Sequence, residues 1–357
     1  MAGCAGLPPS GGVIKVSASK THARSVASAR FQRFVADNAI LFIWILFFAY
    51  AFLFVDGFGS AYNLKNYLTT CAPLLIAASG LTVVVLNGGI DFSITSVISL
   101  VSTICAFIMV KSPVKQTTTG IVLAMVAGVG IGGFVGVING LAVSRLKMPS
   151  FVASLATMLV FSGIAVWFGS VFYDKVSLSG LPAGFTMLGG KGGYFWLPCA
   201  IAAAFFLFVQ WLLSATNFGR RVYAVGVNPN TAKVSGIPVR RTIFLELLLC
   251  GLMAGVAGLM FTAKNQAGIT TLGDDMFIDI VGSVVIGGTS PAGGFGSVKK
   301  TLYGVLFLVL LSNILNLMGI TYTLYNVVKG SFILVAAGLE LVTRQMSERA
   351  AARVVRA

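Results

Sequence analysis

TGIVLAMVAGVGIGGFVGVINGLAV, residues 119–143, contains no charged side chain. The run exceeds the ~20 apolar residues that a helix needs to cross a hydrocarbon core. In lipid a segment must satisfy its own backbone hydrogen bonds, so a continuous apolar run of this length reads as a helix. The strict alternation of a membrane β-barrel strand is missing. Gly128, Gly130 and Gly133 spell a formal GxGxxG string. It follows no strand, so a dinucleotide site is rejected. Gly128, Gly132, Gly136 and Gly140 instead recur every fourth residue, on one helix face, where a second helix can approach closely.

Outward from this run, further apolar stretches lie at about 40–56, 68–87, 92–110, 151–172, 195–214, 242–263, 278–289, 299–318 and 322–342. The expected fold is therefore all-α, a polytopic membrane protein of about ten transmembrane helices. The run at 278–289 is too short to span alone, so it predicts a broken, re-entrant or tilted helix beside a Gly-rich motif. Residues 1–38 form an N-terminal tail, 39–343 the membrane domain with a polar loop at 219–241, and 344–357 a C-terminal tail.

The 357-residue chain is 57% hydrophobic and 10% charged. Soluble domains carry about 25% charged residues, so lipid is the expected partner for this surface. The net charge of +15 is spread over short loops and tails. That distribution speaks against a nucleic-acid face. The five cysteines are isolated and His22 is the single histidine. Neither a metal site nor a catalytic triad is expected, and no cofactor. There is no GxxxxGK[ST] loop, so any ATP hydrolysis must occur in a separate subunit.

Lys and Arg orient the chain, because cytoplasmic loops collect them. With the N-terminus inside, Arg145, Lys147, Arg220, Arg221, Lys233, Arg240, Arg241, Lys299, Lys300 and both basic tails fall inside. Lys65, Lys111, Lys115, Lys175, Lys191 and Lys264 fall outside, with Asp56, Asp174, Asp274 and Asp275. An even number of crossings with both termini cytoplasmic follows.

The inside loop GRRVYAVGVNPNTAKVSGIPVRR (219–241) carries helix punctuation. Asn228 is a helix cap, Pro229 suits the first position and Gly236 the stop. A helix of about two turns is predicted over Pro229, Asn230, Thr231, Ala232, Lys233, Val234 and Ser235. Local physics leaves two readings open: a connector lying on lipid, or a docking helix for a cytoplasmic subunit.

Ionisable groups at membrane depth are functional candidates. Asp91 sits at the break GGIDFS, where it either caps the next helix or meets cargo. Glu246, Lys329 and Glu340 lie near helix ends and are expected to snorkel toward water. Asn139, Asn313 and Asn316 are expected to join helices. A weak echo relates Val84-Val85-Leu86-Asn87-Gly88-Gly89 to Val284-Val285-Ile286-Gly287-Gly288. Internal repeats with broken helices are a transporter trait.

The strings NGGIDFSITS (87–96), NGLAVSRLKMPSFVASLATM (139–158), GRRVYAVGVNPNTAKVSGI (219–237) and VVIGGTSPAGGFGS (284–297) resemble permease subunits of bacterial carbohydrate ABC importers, the ribose, xylose and galactose type. The match runs over about residues 60–340. The resemblance implies a plasma-membrane permease that pairs with a second permease, binds ABC ATPase subunits below and receives sugar from a periplasmic binding protein. It implies that 228–236 couples to the ATPase. Asn87, Asp91, Ser93, Asn139 and Ser290 become candidates for the substrate pathway. The chain departs from the family at Phe92 and Thr95, where Leu and Gly are usual. Pro291-Ala292 replaces a Leu-Phe pair, and Phe295 stands where Arg is common. These changes flank the breaks and bear on which sugar or sugar alcohol is carried. The alternatives are a nucleoside or branched-chain amino acid permease and, in a different class, an ion-coupled carrier or intramembrane enzyme. The last class needs more buried acid and base groups than Asp91 and Glu246.

Overall fold

The computed structural model describes residues 38–173, 176–321, 324–335 and 338. The two tails, His22, Cys4, Asp174, Lys175 and Glu340 lie outside the described residues. Helices α1 (Ala39–Phe54), α2 (Ala61–Leu86), α3 (Ser93–Val110), α4 (Thr118–Ser144) and α5 (Ser150–Phe172) follow in order. A short strand β1 (Ser177–Ser179) and a single turn α6 (Ala183–Thr186) lead to α7 (Trp196–Ala215). Then come α8 (Asn217–Val227), α9 (Pro229–Val234), α10 (Val239–Asn265), strand β2 (Ala267–Ile269), α11 (Phe277–Ile286), α12 (Val298–Leu317) and α13 (Leu324–Val335).

Seven of these, α2, α3, α4, α5, α7, α10 and α12, are long and apolar enough to cross a membrane; α1 and α13 are shorter apolar helices. Among the described residues every expected apolar run contains a helix, but α1, α11 and α13 fall short of a full span. The all-α expectation holds with one addition: β1 and β2 pair antiparallel, Leu178 opposite Gly268. That pairing joins two loops at one end of the bundle.

Helices α2 and α3 form the interior, while α4, α5 and α7 present exposed side chains such as Val126, Phe134, Leu159, Trp167 and Trp211. In water that surface would be costly; hydrocarbon is its natural solvent. The glycine stripe of α4 does what its spacing predicts. A Cβ at Gly132 would collide with the Gly251 carbonyl, and one at Gly136 would lie 2.8 Å from the Leu247 oxygen. Gly251 and Gly255 of α10 supply the facing small surface, so the two backbones approach with no side chain between them.

Polar groups join helices elsewhere. Asn63 on α2 and Asn313 on α12 exchange two amide hydrogen bonds of 2.9 Å. The Thr82 and Thr301 hydroxyls meet at 2.8 Å between the same helices. Asn316, expected to do likewise, is exposed.

Candidate functional site

Helices α2 and α11 stop at glycine breaks of the same construction. Gly88 donates to Val85 O and Gly89 to Val84 O; Gly288 donates to Val285 O and Thr289 to Val284 O. Gly88 has φ 78° and Gly288 φ 86°. This is the paired 5→2 and 6→1 closure in which a left-handed glycine ends a helix. The sequence echo is therefore a repeated cap. The loop that follows the second break returns to the first: Gly294 N–H donates to Leu86 O at 2.8 Å.

Helix α8 packs on the end of α2 and on the loop that follows the second break. A Cβ at Gly226 would collide with the Leu86 carbonyl and lie 2.7 Å from Gly294 N. The Tyr223 hydroxyl donates to Gly296 O at 2.9 Å. Only the bare backbone of Gly226 fits that space. Helix α9 follows at once. Asn228 caps it, its Oδ1 accepting from Asn230 N at 3.0 Å and Thr231 N at 3.1 Å. Pro229 begins it and Gly236, at φ 79°, follows its end, as predicted. Ala232 is 4% exposed and faces the protein itself, so it is not at the free surface. Asn228, Pro229, Asn230, Thr231, Lys233, Ser235 and Gly236 are exposed, and Val234 is 90% exposed. The sequence reading missed α8, whose buried Val222 and Val225 mark its inner face.

The pathway candidates divide. Asp91 Oδ1 accepts from Ser93 N at 2.9 Å and Ser93 Oγ at 2.6 Å. It thus caps the start of α3, which begins at Ser93 rather than Phe92. Asn139 Nδ2 donates to Ser93 Oγ at 2.8 Å, and Thr157 Oγ1 to Asn139 Oδ1 at 2.9 Å. One buried chain of hydrogen bonds thus ties the first break to α4 and α5. Asp91, Ser93 and Asn139 are buried, and the Cys250 side chain of α10 lies against Asp91. Asn87 pairs elsewhere: its Nδ2 donates to Glu246 Oε2 at 2.9 Å. Ser290 is buried in the second break, where its Oγ accepts from Ala292 N at 3.3 Å.

Two expectations about helix-end charges fail. Glu246 does not snorkel; it is buried on Asn87, 159 positions earlier. Lys329 is 3% exposed and pairs with Asp279, a residue the sequence reading passed over. Burial is tolerated in both because a polar partner replaces water.

The two ends of the bundle differ. At the end holding α8 and α9, Arg145, Arg240 and Arg241 with Leu141, Phe244 and Leu245 line a cavity of about 570 Å³. At the opposite end, Lys65, Lys191, Lys264, Tyr62, Phe195 and Gln266 line one of about 390 Å³. Lys264 Nζ donates to Thr69 Oγ1 at 2.9 Å, and Lys191 Nζ to Gln266 Oε1 at 2.5 Å. No carboxylate forms an ion pair with these lysines among the described residues.

The chain matches the family described as branched-chain amino acid transport system / permease component over residues 63–337. It is 37% identical over 282 residues to the ribose import permease protein RbsC of Bacillus subtilis (strain 168), covering 78% of this chain and 84% of that one. The RbsC of Escherichia coli (strain K12) is 32% identical over 290 residues, 78% of this chain and 86% of the relative. The xylose transport system permease protein XylH of Escherichia coli (strain K12) is 30% identical over 382 residues, 90% and 94%. No solved structure matches. The chain is a multi-pass membrane transport permease and not an enzyme, and it belongs to the branched-chain amino acid transport system / permease component family.

Proposed function

We propose that this chain is the membrane-spanning subunit of an ATP-binding-cassette importer in the bacterial inner membrane. Its cargo is a small carbohydrate or sugar alcohol delivered by a periplasmic binding protein. Two permeases pair, and separate ATPase subunits dock on α9. The observation that carries this reading is the seat of α8: the helix joined to the capped α9 rests directly on the end of α2 and on the loop that follows the second glycine break. A push on α9 then reaches the end of α2 and the loop that follows α11 as a rigid-body displacement. Both tails and the α8–α9 region are cytoplasmic, in a topology of about ten crossings in which α1, α11 and α13 count as short ones. The Lys65, Lys191 and Lys264 cavity then faces the binding protein. The Asp91, Ser93, Asn139 chain and the Asn87–Glu246 pair hold the breaks in place along the pathway, with Ser290 bracing the second one.

The family's description leaves a branched-chain amino acid reading standing beside the sugar one, and the sugar names of the relatives weigh against it. The deciding experiment is uptake into proteoliposomes holding the permease, its ATPase and its binding protein. ATP-dependent accumulation of labelled D-ribose, D-xylose or D-galactose is expected. Accumulation driven by an ion gradient without the ATPase would overturn the reading.

A further inference from the structure

Asp279 on α11 and Lys329 on α13 meet with Nζ 2.5 Å from Oδ1. The same ammonium lies 4.0 Å from the centroid of the Tyr325 ring. The lysine side chain is closed off, but 25% of the Asp279 side chain is exposed. It opens on a cavity of about 140 Å³ shared with Thr70, Ser312, Phe261 and Tyr325. Thr70 lies in the first half of α2, Ser312 in the last half of α12 and Phe261 near the end of α10. The cavity therefore lies at membrane depth, in the half of the bundle opposite α9.

The hydrogen-bond inventory of this cavity is one-sided. The Thr70 hydroxyl already donates to Asn66 O and the Ser312 hydroxyl to Leu308 O, both at 2.7 Å. Asp279 Oδ1 is taken by Lys329, and its second oxygen has no hydrogen-bond partner among the described residues. A hydroxyl whose proton is committed still has lone pairs to offer, and an ionised carboxylate only accepts. The cavity therefore asks for a ligand that brings donors. It does not ask for net charge, because Lys329 already balances Asp279. Leu74, Phe261, Met276 and Val309 supply an apolar wall against which C–H groups can pack. The volume lies below the ~300–1,000 Å³ of pockets for drug-sized ligands, so the solute is compact.

We propose that this cavity binds a neutral polyhydroxylated solute of the monosaccharide class, with Asp279 as the principal acceptor and Lys329 balancing its charge. The proposal rests on the sugar-permease reading and gives the permease a cargo site of its own. An intramembrane ion pair facing a cavity is where such a site is expected.

The test uses the permease–ATPase complex in lipid nanodiscs without binding protein. Equilibrium binding of tritiated D-ribose, D-xylose and D-galactose is measured by scintillation proximity. Saturable binding of at least one sugar is expected. It should weaken roughly tenfold or more, about 1.4 kcal/mol, in Ser312→Leu, which fills the cavity and leaves the ion pair intact. The paired replacement Asp279→Leu with Lys329→Met, which removes the acceptor without stranding a charge, should have the same effect. Absence of saturable binding of all three sugars to the wild type, or wild-type binding in both variants, would overturn the proposal. Failure of ATP-driven uptake by the same wild-type complex would count against the importer reading, and the binding comparison would still judge the cavity.

Discussion

Val234 is the most exposed large apolar side chain in the α8–α9 region, at 90%. If α9 docks on an ATPase, burying this valine contributes to the contact. Val234→Ala removes the equivalent of two methylene-sized groups, about 1.6 kcal/mol at ~0.8 kcal/mol each. That corresponds to roughly fifteen-fold weaker association. Alanine has the higher helix propensity, so the fold of α9 does not suffer. The loss would therefore belong to the interface. The assay is equilibrium binding of the solubilised permease to its isolated ATPase subunit. Ala232→Arg is the contrasting variant. It forces a charge into a buried position and should lower the thermal midpoint of the permease itself. Unchanged ATPase affinity in Val234→Ala, within about twofold of wild type, would refute docking through this face and leave α9 as a connector on lipid.

Gly226→Ala should reduce ATP-driven uptake while leaving ATPase association intact, because the new Cβ collides with the Leu86 carbonyl at the first break; overpacking of this kind costs about 1–3 kcal/mol. Asp91→Asn should keep the cap of α3, since the amide oxygen still accepts, and preserve assembly. Asp91→Ala should strand the Ser93 N–H and hydroxyl, at about 1–3 kcal/mol each, and lower the unfolding midpoint in detergent. The double change Lys65→Glu with Lys191→Glu should weaken binding-protein stimulation of ATP hydrolysis and leave basal hydrolysis unchanged; stimulation equal to wild type would remove this cavity from the docking face. Reporter fusions at Gly192 and after Arg356 should give opposite signals, and equal signals would overturn the topology.

What was legible in the sequence is what depends on neighbours in the chain. Continuous apolar runs dictate helices in lipid, and all of those within the described residues are helical. Asn228, Pro229 and Gly236 dictate a capped helix through local hydrogen bonds and φ, and α9 forms there. The four-residue spacing of glycines on α4 announced a close contact, though not that Gly251 and Gly255 of α10 would meet it. Two of the misses share one physical origin. Glu246 and Lys329 were expected to reach water because a charge near a helix end has that option. Whether it uses the option depends on a partner remote in sequence, Asn87 for one and Asp279 for the other.

The two glycine breaks show how much can hang on such remote contacts. Each cap is local: a left-handed glycine closes the last turn of α2 and of α11 with the same two hydrogen bonds. Taken alone, each is an ordinary helix end. With Gly294 bonded to Leu86 and α8 seated on both residues, the end of α2, the loop that follows α11 and α8 share one small volume. No side chain fits between these backbones, so the junction has little slack to absorb a displacement. Close-packed interiors pass on strain where loose ones dissipate it. A movement imposed on α9 must therefore appear at Leu86 or break the packing of α8. The buried chain from Asp91 through Ser93 and Asn139 to Thr157 then carries the same movement into α4 and α5. On the proposals made above, the polar residues at the breaks serve the transmission of force, and recognition of cargo is assigned to the separate cavity beside Asp279.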